Sequence, residues 1–116
     1  MGKRILVIDD EEMILNAIKL IMEDLGYSVS CYSNPIEGED IAKKEDFDLI
    51  ILDLRMPQKN GAELTENIIA EKPDAKILIL TAYPADPIAK RALEAGAISL
   101  LKKPFEISKI LDFIEN

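Results

Sequence analysis

Short apolar runs alternate with longer amphipathic segments along the chain. Three uninterrupted runs are typical of strands buried on both faces, as in a parallel sheet: ILVI at 5–8, LIIL at 49–52 and ILIL at 77–80. Two weaker segments, YSVSCY at 27–32 and ISLL at 98–101, predict further strands, the first of them nearer an edge of the sheet.

Helical patterns fill the intervals between these strands. The first helix ends at Gly26 as a C-terminal cap, and the second begins with Pro35 after the N-cap Asn34. The alternation predicts a doubly wound α/β fold with five parallel strands and five helices, in one domain over residues 1–116. The helices are marked in turn by Met13, Ile14, Ala17, Ile18, Ile21, Met22 and Leu25; by 35–45; by Leu64, Ile68 and Ile69; by Ala89, Ala92 and Leu93 before Gly96; and by Ile107, Ile110, Leu111 and Ile114.

Composition restricts the classes of function. A net charge of −8 argues against nonspecific nucleic-acid binding, which needs a basic surface. With no histidine and a single cysteine, Cys31, the chain cannot build a structural zinc site or a Ser-His-Asp triad, so a bound metal would take oxygen ligands, as magnesium, manganese or calcium does. The apolar runs are too short for a membrane span or a signal peptide, which predicts a cytoplasmic protein without membrane contact.

Polar side chains follow the apolar runs, where the predicted strands end. The carboxyl ends of parallel strands share one edge of a sheet, and ligands of open α/β sheets bind there. Carboxylates gathered at this edge would repel one another unless a cation or raised pKa values relieved the repulsion. A divalent cation, a lysine and a hydroxyl around one carboxylate are what phosphoryl transfer needs, with Asp53 as the nucleophile. The residues are Asp9 and Asp10, Asp53, Thr81, and Lys102 and Lys103.

Each of these residues also has a structural interpretation when taken alone. DDEE at 9–12 can cap the first helix, and Asp53 can be a turn residue before Pro57. Thr81 can cap the fourth helix, and the lysines at 102–103 can form a solvated loop end. These interpretations do not predict that all the groups follow strand ends.

The motifs resemble those of the receiver domain of two-component response regulators, the CheY-like fold. The likeness runs from Ile5 through the last helix, and it is carried by ILVIDDEE, LIILDLRMPQKNG, ILILTAY and EAGAISLLKKPF. It implies the strand order 2-1-3-4-5. It also implies a signalling switch that is not an enzyme with a metabolic substrate and that catalyses only its own phosphorylation and dephosphorylation.

The resemblance implies roles for individual residues. Asp53 is the expected phosphoacceptor, Thr81 the hydrogen-bond partner of a phosphoryl oxygen, and Lys103, not Lys102, the cation that pairs with the phosphoryl group. Magnesium is the expected ion, with manganese as an alternative. Its expected ligands are Asp10 directly, Asp9 largely through water, Asp53, and the backbone carbonyl of Arg55.

Three further positions fit the family. Ala82 is the small residue that leaves room for the phosphoryl group, and Gly61 fits the turn after the loop that follows Asp53. The bond between Lys103 and Pro104 is expected to be cis.

One position departs from the family pattern. Leu100 stands where the family commonly has a tyrosine or phenylalanine that moves inward together with Thr81, so the resemblance does not extend to the usual coupling of phosphorylation to the face of helix 4, strand 5 and helix 5. The resemblance also implies that Arg55 and Tyr83 flank the phosphoryl site, at positions that vary in the family and tune hydrolysis. Both are large, which predicts slow autodephosphorylation.

The expected phosphoryl donor is a phosphohistidine on another protein, because this chain has no histidine. The resemblance implies a histidine kinase or a histidine phosphotransfer protein as donor, and a downstream protein as target. A magnesium-dependent phosphatase is a rival, but its nucleophile typically follows the first strand in a D-x-D pattern, where this chain has DDEE. A receiver that binds partners without being phosphorylated is a further alternative, and the intact set of Asp9, Asp10, Asp53, Thr81 and Lys103 argues against it. A flavin-binding module is another, and three carboxylates that would repel its phosphate unless a metal intervened argue against that one. The sequence leaves open whether the chain is a complete single-domain regulator or part of a longer protein.

Overall fold

Five parallel strands form the central sheet of the computed structural model, which describes residues 2–115. The strand order is β2-β1-β3-β4-β5, as the resemblance implied. The two weaker segments form the two edges, and the three continuous apolar runs lie between them. The strands are β1 (Arg4–Ile8), β2 (Ser28–Tyr32), β3 (Leu49–Asp53), β4 (Ile77–Thr81) and β5 (Ser99–Lys102).

Each strand is followed by a helix, as predicted. The side chain of Asn34 accepts the backbone N–H groups of Ile36 and Glu37, so it caps the second helix directly before Pro35. Gly26 has a φ of 98° just after the first helix, in the region that favours glycine. The helices are α1 (Glu12–Asp24), α2 (Pro35–Lys44), α3 (Gly61–Glu71), α4 (Pro87–Ala95) and α5 (Ser108–Glu115).

Alternate strand residues point to two separate apolar layers. Leu6 and Ile8 of β1 pack with residues of α2, α3 and α4 on one face of the sheet. Ile5 and Val7 pack with residues of α1 and α5 on the other face. Both faces of the central strands are therefore covered, which explains why these strands are continuous apolar runs in the sequence.

The apolar stripe of α1 differs from the prediction. Met13 and Leu25 are 84% and 53% exposed, whereas Leu15 is buried together with Ile18 and Met22. Only one narrow face of α1 meets the sheet, and the predicted stripe included residues on the flank of that face. No helix among the described residues has both the length and the apolar character that crossing a membrane requires.

Candidate functional site

The ends of β1, β3 and β4 place three polar side chains at one edge of the sheet. Asp9 follows β1 directly, Asp53 is the last residue of β3, and Thr81 is the last residue of β4. All three are buried, with exposed fractions of 0%, 6% and 3%. Buried polar groups need hydrogen-bond or ion-pair partners, so these side chains are expected to interact with other polar groups at this edge of the sheet.

Three carboxylates meet at this edge. One carboxylate oxygen from each of Asp9, Asp10 and Asp53 lies within 4.8 Å of the other two. Asp9 and Asp53 are buried, whereas Asp10 is exposed at the surface. Carboxylate oxygens are the ligands that magnesium, manganese and calcium prefer, so the donor set fits the ion that the sequence predicted.

Lys103 lies between these acids. Its ammonium group is 3.1 Å from a carboxylate oxygen of Asp9 and 3.2 Å from one of Asp53. It also donates to Glu11 at 2.8 Å, a contact that the sequence did not indicate, because Glu11 was considered only as a residue that could cap the first helix. The neighbouring Lys102 is exposed, so of the two lysines it is Lys103 that belongs to the cluster.

The electrostatics of the cluster show an excess of negative charge. Burial, followed by the charge of Asp9, raises the pKa of Asp53 from 3.8 to about 7. Burial also raises the pKa of Asp9, against the opposing effects of the Glu11 backbone N–H and Lys103. Burial alone would lower the pKa of Lys103, but Glu11, Asp9 and Asp53 outweigh it and raise that pKa. One lysine therefore does not compensate the acids, and a divalent cation would.

A cleft of about 280 Å³ opens beside Asp53. The hydroxyl oxygen of Thr81 accepts the backbone N–H of Tyr83 at 3.0 Å, which leaves the hydroxyl proton as the group that can donate into the cleft. Ala82 contributes only a methyl group to the wall, so space remains next to Asp53. The cleft is lined by Asp10, Glu11, Asp53, Arg55, Thr81, Ala82, Tyr83 and Lys103.

The loop between β3 and α3 packs closely against the end of β3. The backbone N–H of Gly61 donates to the carbonyl of Leu54 at 2.8 Å. A Cβ at Gly61 would lie 2.8 Å from the carbonyl oxygen of Asp53 and 3.0 Å from Cα of Leu54. Glycine is therefore required for this close approach of two backbones. The bond between Lys103 and Pro104 is cis, as expected.

Two large side chains flank the cleft. The guanidinium of Arg55 is turned toward Asp86, the N-cap residue of α4, and this ion pair was not foreseen from the sequence. Tyr83 is 71% exposed. Leu100 is half-buried and packs against the apolar layer that includes Ile79, its partner on the adjacent strand.

Residues 5–115 match the family model of the response regulator receiver domain. The chain belongs to this family. The alginate biosynthesis transcriptional regulatory protein AlgB of Pseudomonas aeruginosa is 38% identical to this receiver domain over 101 residues, which cover 87% of the chain but only 22% of AlgB. The chain thus spans about a fifth of the length of that relative.

Solved structures give the same family. A CheY-like receiver domain protein from Methanospirillum hungatei has a TM-score of 0.93 at 32% identity, with 99% of this chain and 92% of that chain covered. A second match is the receiver domain of the sensor histidine kinase PA1611 from Pseudomonas aeruginosa, which has magnesium coordinated in its active-site cleft. Its TM-score is 0.89 at 26% identity, with 99% of this chain and 96% of that chain covered. A third match is a response regulator from Burkholderia pseudomallei with a phosphorylated aspartic acid and a calcium ion. Its TM-score is 0.88 at 34% identity, with 97% of this chain and 66% of that chain covered.

Proposed function

We propose that this receiver domain accepts a phosphoryl group on Asp53 from a phosphohistidine of a partner protein, with a divalent cation bound. The observation that carries the proposal is the position of Asp53, which lies beside two other acids and 3.2 Å from the ammonium of Lys103. The phosphorylated aspartic acid in the related Burkholderia protein supports the same chemistry. Outside this family resemblance, a partly buried cluster of acids around one lysine at a sheet edge favours a phosphoryl-transfer site.

In the proposed reaction a carboxylate oxygen of Asp53 attacks the phosphorus atom of the donor. A P–O bond to Asp53 forms, the P–N bond of the phosphohistidine breaks, and its electron pair leaves with the imidazole ring. Lys103 pairs with a phosphoryl oxygen, and the hydroxyl of Thr81 donates to another. Ala82 leaves the space that the group occupies.

The three acids that meet at this edge of the sheet would hold the cation. Asp10 and Asp53 offer oxygens directly, the carbonyl of Arg55 is the third expected ligand, and the buried Asp9 acts largely through water. A bound magnesium ion, or manganese in its place, would neutralise charge on the phosphoryl oxygens during transfer. The magnesium in the related PA1611 receiver domain supports this assignment.

Phosphorylation would act as a conformational switch. The acyl phosphate carries more negative charge than the carboxylate it replaces, so it changes the contacts of Thr81 and Lys103 and shifts the balance between two conformations. We propose a histidine kinase or histidine phosphotransfer protein as donor, a downstream protein as target, and the cytoplasm as the compartment. The domain would catalyse only its own phosphorylation and dephosphorylation.

Labelling with acetyl phosphate and magnesium tests the assignment. Intact mass spectrometry of the wild-type protein should show the addition of one phosphoryl group, and Asp53→Asn should show none. Asp24→Asn is the matched control, because Asp24 is an exposed acid at the end of α1. Labelling of Asp53→Asn at the wild-type level would refute the proposal, and turnover of a phosphomonoester would favour the phosphatase alternative.

A further inference from the structure

Glu39 is a buried carboxylate that lies outside the cluster around Asp53. It belongs to α2, and the residue is 8% exposed. One of its carboxylate oxygens accepts from Lys43 at 2.9 Å, and the other accepts from Lys59 at 3.0 Å and from Asn67 at 3.1 Å. Buried charges are retained where they are paired and hydrogen-bonded, and Glu39 has three such partners.

The three donors keep Glu39 ionised. Burial would raise the pKa of its carboxyl, but the hydrogen bonds from Asn67, Lys43 and Lys59 outweigh burial and lower the pKa. Two of these donors lie on helices, since Lys43 is one turn further along α2 and Asn67 lies on α3. Lys59 differs from them because it lies on the loop between β3 and α3, which also contains Arg55.

This loop contains a backbone conformation that needs support. Gln58 has a φ of 75°, a region that favours glycine. Next to it, the backbone N–H of Lys59 donates to the carbonyl of Pro57 at 2.9 Å, which closes a tight turn around Gln58. A strained turn persists only where surrounding contacts fix it, and the ion pair of Lys59 with Glu39 fixes the residue directly after the strained one.

Two other sets of side-chain contacts hold the rest of the loop. The side chain of Asn60 accepts the backbone N–H of Glu63, and the side chain of Glu63 accepts that of Asn60, so the start of α3 is capped in both directions. The side chain of Arg55 is tied to Asp86 on the opposite side of the loop. Between the residues held by these two contacts, the Glu39–Lys59 ion pair connects the loop to α2.

We propose that Glu39 is a positioning residue for the cation site. By binding Lys59 it fixes the loop after β3, and thereby the backbone carbonyl of Arg55 as an oxygen ligand for a divalent cation. This inference rests on the proposed function, since that carbonyl matters only if the cleft binds the ion. Glu39 itself contacts neither the ion nor the phosphoryl group.

Removing the loop donor alone tests the inference. Lys59→Met keeps the apolar stem but removes the ammonium, and it should weaken magnesium binding by roughly tenfold, the scale seen when a residue that supports a metal ligand is lost. Lys43→Met is the matched control, because it takes a donor from the same carboxylate without touching the loop. Its magnesium affinity should stay within a factor of two of wild type. Isothermal titration calorimetry with magnesium ions alone and unphosphorylated protein measures both.

The design separates positioning from net charge. Both variants remove one positive charge from a chain with a net charge of −8, which by itself would strengthen cation binding. A loss of affinity in Lys59→Met alone is therefore opposite to the charge effect. Lys59→Arg, which keeps a donor for Glu39, should restore affinity to near the wild-type value.

Stability measurements separate positioning from unfolding. Urea denaturation of each variant gives the free energy of unfolding, which Lys59→Met and Lys43→Met should lower by similar amounts. The inference is overturned if Lys59→Met binds magnesium as wild type does, or if both variants lose affinity equally. Failure of the wild-type protein to bind magnesium would overturn the proposed function as well, whereas wild-type labelling at Asp53 with an unaffected Lys59→Met would overturn this inference alone.

Discussion

The guanidinium of Arg55 donates two hydrogen bonds to one carboxylate oxygen of Asp86, at 2.9 Å and 2.6 Å. The other carboxylate oxygen of Asp86 accepts the backbone N–H of Ile88 at 2.9 Å and caps α4. The N–H of Ile88, followed by Arg55, lowers the pKa of Asp86. One side chain therefore connects the loop after β3 with the first turn of α4, beside the cleft that contains Asp53.

Arg55 and a second side chain beside the cleft, Tyr83, also bear on the expected lifetime of an acyl phosphate on Asp53. Arg55 and Tyr83 are large and line the cleft, so we expect them to restrict the approach of water to a phosphoryl group on Asp53. We expect the phosphorylated wild-type protein to have a half-life of minutes or longer, followed by intact mass spectrometry after removal of the donor. A half-life of seconds would contradict this expectation.

Replacing both flanking side chains tests the cause of that lifetime. The double variant Arg55→Ala, Tyr83→Ala should lose its phosphoryl group severalfold faster than wild type. Arg91→Ala is the control, because Arg91 also pairs with a carboxylate, that of Glu66 at 2.6 Å, but does not line the cleft. An unchanged rate in the double variant would show that access of water is not limited by these side chains.

The raised pKa of Asp53 predicts a pH-dependent cost to stability. Because its pKa is about 7 in the folded protein against an ordinary 3.8, the folded chain keeps a proton that the unfolded chain releases. The free energy of unfolding should therefore fall as pH rises between these two values, and the cost is complete above the folded pKa. With a chelator present and the pH above this window, Asp53→Asn should be more stable than wild type by about 1 kcal/mol or more.

The difference between the two proteins should shrink as pH falls through this window, because wild-type Asp53 then becomes neutral as well. Urea denaturation at several pH values measures it. Asp24→Asn serves as the control for removal of an exposed carboxylate and should show no such pH dependence. If wild type and Asp53→Asn are equally stable at every pH, the carboxylate is not under the strain that its burial implies.

Magnesium should relieve the same repulsion and stabilise the fold. At an ion concentration of about 100 times the dissociation constant, the free energy of unfolding should rise by about 2.7 kcal/mol. Asp10→Asn should lose most of this gain without unfolding, since Asp10 is exposed. Glu12→Gln, another exposed acid nearby, should keep it, and manganese should act in the same direction as magnesium.

The edge of the sheet that carries Asp9, Asp53 and Thr81 could be predicted from the sequence. A strand covered on both faces is a continuous apolar run, so its end is visible as the first polar residue. The alternation of such runs with helices then places these ends at one edge. The choice of Lys103 over Lys102, by contrast, came from the family resemblance.

Long-range ion pairs could not be predicted in the same way. Glu39 has the sequence context of a solvent-exposed residue on a weakly apolar helix, yet it is buried against Lys59 and Asn67. A charged residue gives the same local pattern whether its helix face meets water or a neighbouring loop. The exposure of Met13 on α1 has the same origin, because periodicity does not show how wide a face the sheet covers.

The strained turn after Pro57 predicts that one substitution will stabilise the protein. Gln58 has a φ of 75°, where a residue with a Cβ is disfavoured by roughly 1–2 kcal/mol. Glycine removes this strain but gives the unfolded chain more freedom, which costs roughly 0.5–1 kcal/mol. Gln58→Gly should therefore raise the free energy of unfolding by roughly 0.5–1 kcal/mol, measured by urea denaturation. Gln58→Ala keeps a Cβ and should give no gain, so equal midpoints for the two variants would place the strain elsewhere.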